Sequence, residues 1–183
     1  MTGGVFAERL LLLGLGNILM GDDGVGVHTV EELKEHDLPG AVDIIDGGTG
    51  GLDLVDLLGQ YDTVIVVDAI RGEGGALEGV RLLSPRDLCA TEERGAYSMH
   101  DMGLDGVLEL MGKLGMPVPE ISIIGIPARE TEPGIGLSRE CMQALPEAVE
   151  LVKEVVARYR NSKEEGEGTN KRGVTPTIPG GSR

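Results

Sequence analysis

Aromatic side chains are nearly missing from this chain. Its 183 residues include no Trp, one Phe and three Tyr, so the core must be aliphatic. Stacking platforms for bases are absent, which argues against single-stranded nucleic-acid binding. Cations are scarce too: 16 Lys and Arg stand against 31 Asp and Glu, a formal net charge of −15. Phosphate backbones are held by Lys and Arg, so no nucleic-acid partner is expected. A negative field attracts cations or a basic partner segment instead. The two cysteines, Cys89 and Cys141, lie far apart. Their spacing fits no metal or redox motif, and they read as reduced thiols of a cytoplasmic protein. No stretch approaches the ~20 apolar residues of a membrane span. The Leu10–Leu13 run is too short for the core of a secretory signal and leads into Asn17 and Asp22.

What is present alternates between strand-like and helix-like segments. Leu10–Leu15 is a continuous apolar run ending in glycine, as expected of a strand buried on both faces. Gly24–His36 follows with helical periodicity, placing Gly26, Val30 and Leu33 on one face. Val42–Asp46 reads as a second strand, Leu52–Leu58 as a short helix, and the β-branched Thr63–Ala69 as the central strand. Gly79–Leu83 is expected to add a strand, Met102–Leu114 a helix and Ile121–Ile126 another strand. The last helix is expected from about Ser138 to Arg160, interrupted at Pro146. Strand–helix alternation of this kind predicts a three-layer α/β/α sandwich with a mostly parallel twisted sheet of about five strands. Residues 1–160 are expected to form one domain. Residues 161–183 are poor in apolar side chains and rich in Gly, Pro, Lys and Glu, the composition of a disordered tail.

In open α/β sheets, ligands bind beyond the carboxyl ends of the strands, above all where strand order reverses. Asp23 lies just past the first strand, Asp68 ends the most hydrophobic one, and His100 precedes a helix. If the first and third strands are neighbours, Asp23 and Asp68 face one crevice. Two carboxylates and an imidazole form a donor set suited to nickel, zinc or manganese, with positions left open for water or substrate. Spacing alone makes this a weak signal.

Residues 14–26 (Gly-Leu-Gly-Asn-Ile-Leu-Met-Gly-Asp-Asp-Gly-Val-Gly) resemble the opening motif of the hydrogenase maturation proteases. Asp46-Gly47-Gly48-Thr49-Gly50, Val66-Val67-Asp68-Ala69 and Ser98-Met99-His100-Asp101-Met102-Gly103-Leu104 follow in that family's order. Gly125-Ile126-Pro127, Glu132-Pro133 and Gly136-Leu137-Ser138 resemble its late segments. The likeness spans about residues 10–158. It implies an endopeptidase that trims the C-terminal extension of a nickel–iron hydrogenase large-subunit precursor. It also implies that Asp23, Asp68 and His100 are the catalytic and metal-contacting residues. The metal would be nickel already carried by the precursor, recognised as part of the substrate. The family's first acid is Glu in some members and Asp in others, so Asp23 conforms.

Plainer roles compete for several of these residues. Asp22 reads as a helix cap or a loop-stabilising carboxylate. Asp46, Gly47, Gly48 and Thr49 read as a crevice-lining loop that grips an extended peptide, since glycine permits close backbone approach. Ser98 lacks a Gly-x-Ser-x-Gly elbow and fits no serine-hydrolase pattern. A Rossmann-type reading has Gly14 and Gly16 after a strand, but Leu19 stands where the third glycine belongs. The remaining rivals are a nickel checkpoint or chaperone that binds the precursor without cutting it and, less favoured, a nucleotide-binding α/β protein.

Overall fold

The computed structural model describes residues 8–70, 79–87 and 103–170, with side chains as far as 162. The strands are β1 (Leu10–Gly14), β2 (Val42–Asp46), β3 (Thr63–Ile70), β4 (Arg81–Leu83) and β5 (Glu120–Pro127). The helices are α1 (Val25–Leu33), α2 (Asp53–Leu58), α3 (Leu104–Lys113) and α4 (Arg139–Asn170), with a 3-10 turn at Gly21–Gly24. Strand order in the five-stranded sheet is β2-β1-β3-β5-β4. All pairs are parallel except β4 with β5.

Period-2 alternation along the buried strands divides the core into two. Leu10, Leu12, Ile65 and Val67 pack with α1 and α4 through Val30, Leu33, Val149, Val152 and Val156. Leu11, Leu13, Val64 and Val66 pack on the opposite face with α2 and α3 through Leu54, Leu58, Val107 and Met111. Every residue of β1 and β3 is buried, which explains why their sequences read as unbroken apolar runs.

Parallel crossovers are right-handed. The chain leaves β1 in one direction to make β2 and returns past it to make β3. The intervening helices therefore cover opposite faces, and the layers part above the boundary between β1 and β3. That boundary is the topological switch point.

Three expectations need adjustment. Gly24 belongs to the 3-10 turn, so α1 begins at Val25 and ends at Leu33, short of His36. β4 is only three residues long and antiparallel at the sheet edge. α4 passes through Pro146 and on to Asn170, past the end expected at Arg160. Lys163, Glu164 and Glu165 are good helix formers by intrinsic propensity. Residues 171–183 of the expected tail lie outside the described residues.

Candidate functional site

β1 and β3 are hydrogen-bonded neighbours, with Gly14 opposite Val67. Asp68 is thus the first residue of β3 beyond the end of β1, and it is buried. By strand alternation it shares a face with Val64 and Val66, the α2/α3 side. One Asp68 carboxylate oxygen accepts the Ala69 N–H at 2.8 Å.

Asp23 reaches the same end of the sheet from β1. The 3-10 turn packs against β3, and Leu15 N–H donates to Val67 O at 2.9 Å. The Asp23 side chain is buried, and its Oδ2 accepts the Asn17 N–H at 2.8 Å. Close backbone approach fixes the turn. A Cβ on Gly16, whose φ is +134°, would overlap the Asp23 carbonyl, and one on Gly24 would press on the Ile18 backbone. Glycine is required at 16 on both counts.

The loop after β2 closes another side of the crevice. Gly47 N–H donates to Gly14 O and Gly48 O accepts the Gly16 N–H, both at 2.8 Å. Gly48, in the left-handed region at φ +52°, also donates to Asp46 Oδ1 at 2.8 Å. Asp46 and Thr49 are exposed at the rim.

Asp22 takes a different role from its neighbour. Its side chain is 1% exposed, and it makes no cap bond to the turn that carries it. Its oxygens instead accept the backbone N–H groups of Arg129 (3.1 Å), Glu130 (3.0 Å) and Ser138 (2.7 Å), and the Ser138 hydroxyl at 3.0 Å. Burial by itself would raise this carboxyl, but the donors from Glu130, Ser138 and Arg129 outweigh it and hold the pKa below the ordinary value. The cap alternative therefore falls and the loop-stabilising one stands. Segment 129–138 is drawn against the 3-10 turn, with Asp22 N–H donating to Glu130 O and Gly21 N–H to Gly134 O. A pocket of about 410 Å³ opens there, lined in part by Gly21, Glu130, Glu132, Ile135 and Ser138.

His100 lies outside the described residues, as does Cys89. Among the described residues no three potential ligand side chains form a metal-sized cluster. The structure thus brings the positions of Asp23 and Asp68 to one end of adjacent strands. The first residue of α3, Leu104, is buried on the Asp68 face.

The same geometry bears on nucleotide binding. A phosphate site needs free amides in the glycine turn after β1. Here the N–H groups of Leu15, Gly16, Asn17, Leu19 and Met20 are all spent inside the protein. The turn is built to hold Asp23, and it offers no phosphate cradle.

Fold and site together define a three-layer, largely parallel α/β protein with buried acids at the switch point of its sheet. Comparison with known proteins gives that class a family. The profile of the hydrogenase maturation proteases matches residues 27–155, and the chain belongs to that family. It is 33% identical over 155 residues to the hydrogenase 2 maturation protease of Escherichia coli, covering 84% of this chain and 92% of the relative. A hydrogenase maturation protease homologue of Methanocaldococcus jannaschii is 32% identical over 148 residues, covering 79% and 94%. Among solved structures, the hydrogenase maturating endopeptidase HybD of E. coli superposes with a TM-score of 0.70, at 33% identity, over 84% of this chain and 93% of its own. HybD of Thermococcus kodakarensis gives 0.67 at 29% identity, over 81% and 99%.

Proposed function

We propose that this protein is the endopeptidase that removes the C-terminal extension from a nickel-loaded hydrogenase large-subunit precursor. The observation that carries the reading is the pair of buried acids, Asp23 and Asp68, at the carboxyl ends of adjacent parallel strands flanking the switch point. With His100 they form a two-carboxylate, one-imidazole donor set that suits nickel. The nickel arrives with the precursor and marks it as ready, so it is part of the substrate. Asp46, Gly47, Gly48 and Thr49 line the crevice along the extended peptide. Hydrolysis needs an activated water, supplied by the precursor's nickel or by a carboxylate of the pair acting as base. Water oxygen adds to the scissile carbonyl, the C–N bond breaks, and the new amine leaves with a proton. No described helix is long and apolar enough to cross a membrane.

Intact-mass spectrometry of a precursor incubated with the protein, with and without nickel, tests the proposal. Loss of a C-terminal peptide from the nickel-loaded form alone is the expected result. Undiminished cleavage by the Asp68→Ala/His100→Ala double variant would overturn the site assignment. Retention of the extension alongside tight binding would favour the checkpoint alternative.

A further inference from the structure

We propose that Asp22 is a positioning residue: its carboxylate latches segment 129–138 to the 3-10 turn and thereby fixes where Asp23 points. The inference rests on the reading of Asp23 as part of the peptidase site. A 3-10 helix has three residues per turn, so successive side chains point about 120° apart. Two adjacent acids on such a turn cannot share a task. Anchoring one of them sets the direction of the other.

Asp22 is anchored from outside its own element. Four N–H and O–H donors reach it from Arg129, Glu130 and Ser138, between 107 and 116 positions away in the chain. The buried thiol of Cys141, on the first turn of α4, also sits against this carboxylate. Ser138 spans two tasks, since its Oγ donates to Asp22 and accepts the Cys141 N–H at 3.1 Å. Latch and helix start are therefore one network. On its other flank, Asp23 Oδ2 holds the Asn17 N–H. Rotating the turn about its axis would break both sets of bonds together.

The Asn17 amide is consequently a reporter of Asp23 placement that requires no substrate. Asp22→Asn keeps the shape of the side chain but turns an NH2 group toward a cluster of N–H donors. Amide hydrogen exchange followed by NMR, with precursor-cleavage kinetics measured in parallel, provides the test. For Asp22→Asn we expect faster exchange at Glu130 and Ser138, together with at least a roughly tenfold acceleration at Asn17. We also expect a roughly 10- to 100-fold fall in kcat with KM nearly unchanged, the signature of a displaced catalytic group. Faster exchange at Glu130 and Ser138 with Asn17 and kcat unaltered would overturn the proposal, leaving Asp22 as a loop fastener. A wild-type protein that cuts no precursor, yet whose Asn17 amide responds to Asp22→Asn, would sink the peptidase reading and leave the latch standing. Should Asp22→Asn fail to fold, Ser138→Ala removes one of the Asp22 donors, along with the acceptor of the Cys141 N–H, and leaves the three backbone donors in place. Asn17 exchange and kcat should then shift together to a smaller extent, and wild-type values for both would refute the latch.

Discussion

The thiol of Cys141 is 1% exposed and sits against a carboxylate. Burial, then the charge of Asp22, then a hydrogen bond to it push the pKa up to about 12. Nucleophilic cysteines are thiolates in electropositive surroundings, and this one is the reverse. Native protein at pH 8 should leave Cys141 unalkylated by iodoacetamide, as read by peptide mass mapping, and urea should expose it. The Asp22 carboxylate supports a second prediction. Because its pKa is lowered by folding, its contribution is complete above the ordinary carboxylate range and is lost as pH falls through its folded value. Asp22→Asn should cost about 2–3 kcal/mol at neutral pH, the worth of hydrogen bonds to a charged group. Urea melts at about pH 3 should show that difference shrinking. The sequence showed that Asp22 and Asp23 need separate explanations. It could not show what Asp22 holds, because Arg129, Glu130 and Ser138 are brought to it only by the closure of the sheet.

At the scale of elements, the signals that survived were those with a buried periodicity. β1 and β3 differ from expectation by one residue at an end and β5 by one at each end, because burial writes an apolar run into the chain; β2, a half-buried edge strand, occupies the expected residues. Elements with a weaker hydrophobic contract were misjudged. The short edge strand β4 buries little. The far end of α4 is helical by propensity, and the 3-10 turn is set by glycine contacts that no periodicity reports. Gly26 in α1 is such a contact. A Cβ there would overlap the carbonyl oxygens of Val67 and Leu15, both backbone, so no rotamer change can relieve it. Only glycine lets α1 lie against the carboxyl ends of β1 and β3. Gly26→Ala should therefore cost about 3 kcal/mol or more, at the upper end of overpacking effects, measured by urea denaturation. Gly112→Ala in α3 is the control. Its Cβ would meet nothing within 4 Å, so it should be neutral or stabilising by up to about 1 kcal/mol from helix propensity alone.

For the whole molecule, the strand order 2-1-3 is what turns scattered residues into a site. The direction of winding reverses between β2 and β3, so the two helix layers diverge above β1 and β3. The chain's formal net charge of −15 gives the molecule a negative overall field, which attracts cations. Each core supports a different part of the arrangement. The α1/α4 core carries the helix that follows the Asp23 turn, and the α2/α3 core lies on the face shared by Asp68. Val152 and Met111, both fully buried, belong to opposite cores separated by the sheet. Met111→Ala should cost about 2–4 kcal/mol and Val152→Ala somewhat less, as cavity-forming changes do. Because the two share no neighbour, the double variant should lose the sum within about 0.5 kcal/mol in urea melts. An excess above about 1 kcal/mol would show that strain crosses the sheet between the cores. Both single variants, assayed well below their melting temperatures, should retain cleavage, since neither cavity touches the backbone bonds that hold the Asp23 turn.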